Sequence, residues 1–313
     1  MQTITHHLAA VVATLLLAIP GCAPRSSEEL ATASSAITDP VPQAAGRYNL
    51  RFDVSNGDQR AYILRLPAGY NPFAAAPYPL VYLFHGAGQS ADSFYGRPGM
   101  TRMEALADVQ GKILVFAQGA FGASVTTPGM WDDTGHLKND PLFAQELLAF
   151  VLANLNADPA RVLAAGFSNG GHFTHVLGAL MPAAFRAIGV VEGYYGATCS
   201  PIPATPPAGT LLPVFIVHGD ADTTVPIGGG GTGGFTSALD AYNAWYSNDT
   251  CTLPTAIPIT PPATYTFRFT ACKAATSGNV VRFTTVFGLG HEWPVAANGF
   301  DASARLLDFF DMQ

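Results

Sequence analysis

Charge is scarce in this chain. Of its 313 residues, 15 are Lys or Arg and 22 are Asp or Glu, 12% in all, and the formal net charge is −7. No basic patch and no long charge run is present, which argues against nucleic acid or an anionic membrane surface as partner. Cysteine is scarce too. Cys22, Cys199, Cys251 and Cys272 stand far apart, and no Cys-x-x-Cys or His-x-x-x-His spacing offers a metal site. No internal repeat is visible. The longest apolar run, Leu8–Ile19, is too short to span a bilayer. What is plentiful is glycine (32), proline (24) and apolar residues (49%). That balance predicts one large, loop-rich α/β domain with a sizeable core.

The run Leu8–Ile19 has the length of a signal-peptide core, so residues 1–22 read as an export signal. It closes on Leu17-Ala18-Ile19-Pro20-Gly21-Cys22, which resembles a bacterial lipobox and makes Cys22 a candidate for lipidation and membrane anchoring. Two departures from that pattern are the lack of Lys or Arg before the run and Pro20 at a small-residue position. The alternative is ordinary cleavage between Ala18 and Ala23, with release. Residues 23–45 carry no periodicity and read as a flexible tether, leaving 46–313 as the folded domain. With Cys22 set aside, Cys251 and Cys272 are predicted to pair across a Pro/Thr-rich excursion, worth about 3 kcal/mol in the chain-entropy model. Cys199 is then a free thiol.

Tyr48–Val54 and Ala61–Leu66 alternate around Asn56-Gly57 and predict an antiparallel hairpin. Continuous apolar runs predict buried strands at Pro79–Phe84, Lys112–Ala117, Ala187–Val191, Leu212–Val217 and Val280–Val286. A further strand is expected over Tyr265–Phe269, near the end of the excursion. Helices are expected over Thr101–Val109, Thr236–Tyr246 and Ala302–Phe310, and from Asp140, as N-cap, to about Asn156. Strands alternating with helices predict an α/β-hydrolase fold, a mostly parallel central sheet with helices on both faces.

The centre of the pattern is Val162–Gly171. An apolar strand runs into Gly166-Phe167-Ser168-Asn169-Gly170, and a helical pattern follows through Phe173, Val176, Leu177 and Leu180. Strand, serine, helix is the context a nucleophile elbow needs. A serine hydroxyl needs a base, and the base needs an orienting carboxylate; in this fold they follow the serine in the order acid, then histidine. Asp222, three residues past Gly219, is favoured as the acid over Asp220, which is expected to cap the turn. His291, after Val280–Val286, is the expected base. His85 and His218 end strands and are expected to bond backbone, and His172 and His175 read as satisfied helix histidines. The backbone N–H groups of Asn169 and Ala87 are candidate oxyanion donors, each worth on the order of 3 kcal/mol. No cofactor or metal is expected.

Taken together, His-Gly-x-Gly-Gln at 85–89, Gly-Phe-Ser-Asn-Gly-Gly at 166–171, His-Gly-x-x-Asp-x-x-Val-Pro at 218–226 and Gly-His-x-Trp-Pro at 290–294 make a recognisable set. It resembles the secreted esterase family that includes polyhydroxybutyrate depolymerases and the feruloyl and acetylxylan esterases of carbohydrate esterase family one. The resemblance covers roughly residues 45–313 and implies a serine carboxylic-ester hydrolase with the triad on Ser168, Asp222 and His291. It also places an oxyanion donor at Ala87. Trp131, Tyr194, Tyr195 and Trp293 are candidates to line a groove for an aromatic acyl group, which favours hydroxycinnamate esters of plant cell-wall polysaccharide. The alternatives are a polyhydroxybutyrate (polyester) depolymerase or an acyltransferase of the same fold.

Overall fold

The computed structural model describes residues 38–120, 124–132, 138–197, 211–248, 267–273 and 280–313, with the backbone alone for residue 248 and for 267–273. The signal segment, most of the tether, Cys22, Cys199 and the expected Cys251–Cys272 pair lie outside what is described. No helix among the described residues is long and apolar enough to cross a membrane.

A nine-stranded sheet runs in the order β1-β2-β4-β3-β5-β6-β7-β9-β8. Its strands are β1 (Gly46–Asp53), β2 (Gln59–Leu66), β3 (Tyr78–Phe84), β4 (Ile113–Ala117), β5 (Ala157–Phe167), β6 (Ala187–Val191), β7 (Val214–Gly219), β8 (Phe267–Lys273) and β9 (Val280–Val286). The six central strands, β4 through β9 in that order, are parallel. Antiparallel β1–β2 closes one edge and antiparallel β8 the other. The central strands are apolar throughout because both faces are covered. Leu80, Tyr82 and Phe84 of β3 face one core, and Val81 and Leu83 face the other.

The first core is roofed by α3 (Asp140–Asn154), α4 (Asn169–Leu180) and α5 (Ala238–Asn248). The second is roofed by α1 (Ala91–Tyr95), α2 (Pro98–Gln110) and α6 (Ala302–Asp311). The fold is therefore the expected α/β-hydrolase. Two details differ from the sequence reading. Helix α1 has no counterpart in it; the signal for this helix is the capping box of Ser90 and Ser93. Helix α3 is capped by Asn139, whose side chain accepts the Leu142 N–H at 3.2 Å, and not by Asp140. The Asp140 carboxylate is unavailable for capping because it is buried against the Arg60 guanidinium.

Candidate active site

Ser168 sits at the junction of β5 and α4 with φ 55° and ψ −120°. A non-glycine residue at positive φ is strained, and here the turn around it leaves no alternative. A Cβ on Gly166 would meet the Gly170 carbonyl oxygen at 2.1 Å, and a Cβ on Gly170 would meet the Phe84 carbonyl oxygen at 2.3 Å. The two glycines let β5 turn into α4 on top of the end of β3. The result is a serine held at the C-terminal end of the sheet, 9% exposed, with its N–H fixed to the Val191 carbonyl at 2.9 Å.

Two loops converge on it from β7 and β9, which are parallel neighbours paired to their last residues, Gly219 with Val286. Their loops therefore leave the sheet side by side. Asp220 ties them: its carboxylate accepts the Gly288 N–H at 2.6 Å, across the loops, where a cap of its own turn was expected. The Ala221 N–H adds a bond to the Leu289 carbonyl at 3.0 Å. This places His291 between the other two side chains. Its Nε2 is 2.8 Å from Ser168 Oγ, and its Nδ1 is 2.6 Å from Asp222 Oδ2.

Asp222 is buried, and its Oδ1 accepts the Thr224 and Val225 N–H groups at 2.8 and 2.9 Å. Burial alone pushes its carboxyl up. Hydrogen bonds from His218, His291 and the Val225 N–H outweigh that and hold it well below the usual carboxylate range. The arrangement can deprotonate a serine hydroxyl as it attacks and can stabilise the imidazolium that results.

The loop after β3 passes the serine closely. A Cβ built on Gly86 would lie 3.3 Å from Ser168 Cβ. The next residue, Ala87, has an N–H with no hydrogen-bond partner among the described residues. Asn169 opens α4, where the first N–H groups lie beyond the helix ladder. His85 anchors this loop as expected of a strand-end histidine. Its Nδ1 bonds the Gly86 carbonyl at 2.8 Å and its Nε2 accepts the Gly119 N–H at 3.0 Å, and burial pushes the ring down to about 4.

The two tryptophans do not line a groove. Trp131 is 2% exposed, stacked on Phe173 at 4.6 Å with its indole N–H donated to the His85 carbonyl at 2.7 Å. Trp293 is 4% exposed, packs closely against Gly99 and donates to Ser303 Oγ at 3.1 Å. Both indoles find their polar partner inside the protein, so they brace the loops that they were expected to decorate. Tyr195 is buried as well. Tyr194 is different: half-buried, stacked on His172 at 4.5 Å and packed on Phe235 at 4.6 Å, with its hydroxyl accepting from Asn169 Nδ2 at 3.0 Å. Of the helix histidines, His172 Nδ1 bonds the Tyr194 carbonyl at 3.1 Å, whereas His175 is only half satisfied: its Nδ1 accepts the Trp245 indole N–H at 3.0 Å and its buried Nε2 has no partner among the described residues.

One residue escaped the sequence reading. Glu192 follows β6 directly, is fully buried, and has φ 50°, one of three non-glycine residues at positive φ among those described. Such a conformation costs about 1–2 kcal/mol. Its Oε1 accepts the Gly219 N–H at 2.8 Å. Burial, then the neighbouring Asp222 carboxylate, push its carboxyl well above the ordinary glutamate range. A charged residue directly after an all-apolar strand was the signal available. Glu192, Asp222 and His291 bring ligand atoms within 4.8 Å of one another. Asp222 and His291 are already bonded to each other, and Asp222 Oδ1 and Glu192 Oε1 to backbone N–H groups, which reads as a hydrogen-bonded network in preference to a cation site.

Residues 60–206 match the family described as Esterase PHB depolymerase. The NocK protein of Nocardia uniformis subsp. tsuyamanensis, which carries an esterase name, is 26% identical over 88% of this chain and 82% of its own. Feruloyl esterase C of Emericella nidulans is 28% identical over 67% of this chain and 69% of its own. Among solved structures, an acetyl xylan esterase from Aspergillus awamori superposes with a TM-score of 0.60 at 15% identity, covering 86% of this chain and 100% of that one, and shares the fold. With the elbow, the sheet order and these likenesses together, the chain has the α/β-hydrolase fold, is similar to polyhydroxybutyrate depolymerases and to feruloyl and acetylxylan esterases, and is a carboxylic-ester hydrolase.

Proposed function

We propose that this esterase works through Ser168, His291 and Asp222 by way of an acyl-enzyme, and that its substrates are hydroxycinnamate esters of plant cell-wall polysaccharide. The observation that carries the mechanism is the continuous line of short contacts, 2.8 Å from Ser168 Oγ to His291 Nε2 and 2.6 Å from His291 Nδ1 to Asp222, on a strained elbow. Ser168 Oγ bonds to the ester carbonyl carbon while His291 Nε2 takes its proton. The oxyanion is received by the Asn169 and Ala87 N–H groups. His291 then returns the proton to the alcohol as the C–O bond breaks, and water repeats the sequence on the acyl-enzyme. Asp222 keeps the ring in the productive tautomer.

The aromatic-acyl reading draws support from the feruloyl esterase relative and from the Tyr194–Phe235 pair beside Asn169. The burial of both tryptophans removes part of its sequence-level basis. A second reading, a polyester depolymerase, draws on the description of the matching family. Purified protein incubated with methyl ferulate, p-nitrophenyl acetate, p-nitrophenyl butyrate and poly(3-hydroxybutyrate) film separates the two. A kcat/KM on ferulate at least ~10-fold above the generic esters supports the first reading, since that ratio measures differential transition-state binding. Film clearing with poor ferulate turnover sinks it in favour of the second. Export, with Cys22 as lipid anchor, rests on Leu8–Ile19 and the residues up to Cys22. The corresponding test is whether Cys22→Ser moves the protein from the membrane fraction to the soluble one; an unchanged distribution contradicts lipidation.

A further inference from the structure

Glu192 has no part in the steps above, yet it is fully enclosed beside them. It is fully buried, accepts the Gly219 N–H with Oε1, and brings a carboxyl oxygen within 4.8 Å of the Asp222 carboxylate. Oε2 has no hydrogen-bond partner among the described residues; His218 Nε2 bonds the Val225 carbonyl at 2.8 Å and lies 3.4 Å from Glu192 Oε2 and 3.5 Å from Asp222 Oδ2, between the two carboxyl groups. The other nitrogen of that ring, Nδ1, has no partner among the described residues, so a second proton there would be buried without an acceptor. No lysine or arginine bonds either carboxyl group among the described residues.

Two buried carboxyl groups with oxygens within 4.8 Å of each other and no lysine or arginine partner coexist most readily when one of them keeps its proton. Donor count decides which group keeps it. Asp222 receives the Thr224 and Val225 N–H groups and His291 Nδ1–H, whereas Glu192 receives the Gly219 N–H alone. The negative charge therefore settles on Asp222 and the proton on Glu192.

The geometry points to Glu192 as a positioning residue for this esterase: as the neutral acid it donates its carboxyl proton to Asp222, and so holds in place the carboxylate that orients His291. The strained backbone at Glu192 serves this, turning the side chain inward from the end of β6 to the loop after β7. This inference rests on the triad reading of Ser168, His291 and Asp222. The titratable groups facing Glu192 are His218 and Asp222 on and after β7, His291 after β9, and Glu292 beyond it.

The experiment compares Glu192→Leu and Glu192→Gln with the parent, and runs Asp222→Asn alongside, over a full pH profile of kcat and KM on p-nitrophenyl acetate. Glu192→Leu removes the donor and is expected to lower kcat by ~10- to 100-fold with KM changed less than ~3-fold, and to move the acid limb of kcat/KM to higher pH. Glu192→Gln restores an N–H donor to Asp222 and an acceptor for Gly219, and is expected to recover the rate to within ~3-fold of the parent with the acid limb unmoved. An infrared difference spectrum, parent minus Glu192→Gln, should show a protonated-carboxyl C=O band that requires no active enzyme.

A Gln variant as slow as Leu, an acid limb displaced to lower pH as a lost negative charge would produce, or no such infrared band would each overturn the proposal. If Glu192→Leu does not fold, the Gln profile and the band still decide. Parent-like turnover by Asp222→Asn would instead defeat the triad reading itself, a distinguishable result.

Discussion

Asp140 and Asp222 are both buried, and the protein treats their charges in different ways. Asp140 faces a cation: the Arg60 guanidinium bonds it, and the Asp132 and Ala120 N–H groups complete its shell at 2.5 and 3.3 Å. Arg60 is itself fixed to the Gln118 carbonyl at 3.0 Å and lies over the Phe143 ring at 4.2 Å. Every partner holds something still, namely the end of β2, the loop before α3 and the start of α3. Asp222 faces no cation. Its charge is spread over backbone N–H groups, two histidines, His291 and the more distant His218, and a neighbouring carboxyl group. A carboxylate locked to a guanidinium has little capacity to respond when a proton moves nearby. One held by neutral donors can respond, because an imidazolium forming at His291 supplies the counter-charge that the resting site lacks. The comparison teaches that burial of an acid does not mark a reactive site; the absence of a fixed counter-ion does.

The largest effects should separate the two acids. Asp222→Asn is expected to lower kcat by ~10⁴-fold, since the amide favours the wrong histidine tautomer, a loss of rate far beyond what its effect on folded population accounts for. Asp140→Ala should do the reverse. It strands a buried guanidinium and is expected to cost about 3–5 kcal/mol in urea-melt stability, with kcat per folded molecule changing far less than in Asp222→Asn. If Asp140→Ala melts like the parent, or Asp222→Asn keeps the parental rate, the distinction fails.

A smaller effect sharpens it. The Glu192 carboxyl is held above its unfolded value, so the folded chain keeps a proton that the unfolded chain has lost once the pH exceeds the ordinary glutamate range. That group's contribution is complete below this range and declines as pH rises, by up to about 1.4 kcal/mol per pH unit. Glu192→Gln has no such proton to lose. Its melting temperature relative to the parent should therefore rise between about pH 5 and pH 8. A constant offset contradicts the assignment. Asp222, held low, has the opposite sign: its contribution is present above the ordinary aspartate range and is lost on acidification.

Much of this was legible in the sequence because it was local. The elbow is five consecutive residues, and Asp222 and His291 each sit a few residues past an unbroken apolar run, so chain order and strand ends were enough to select them. Their meeting then depends only on β7 and β9 being neighbours. Trp131 and Trp293 were misread because an indole next to site residues has the same sequence whether it faces solvent or, as here, His85 and Ser303. Glu192 was passed over because its partners arrive from β7 and its loop, beginning with Gly219 27 residues on, and only the sheet order brings them together. At Asp140 the Asp-Pro pair pointed to a cap, and a salt bridge to a residue 80 positions away took the carboxylate instead.

The central claim is that Ser168 is the nucleophile. The most direct test mixes the parent and Ser168→Ala with a p-nitrophenyl phosphonate, an ester that arrests at the acyl-enzyme stage, and follows nitrophenolate release and intact mass. The parent should release one equivalent and gain one phosphonyl group, mapped to the peptide containing Ser168. The variant should do neither, and should lose at least ~10⁴-fold of ester turnover. A variant that still hydrolyses p-nitrophenyl acetate at the parental rate, or a parent labelled at another residue, would contradict the account.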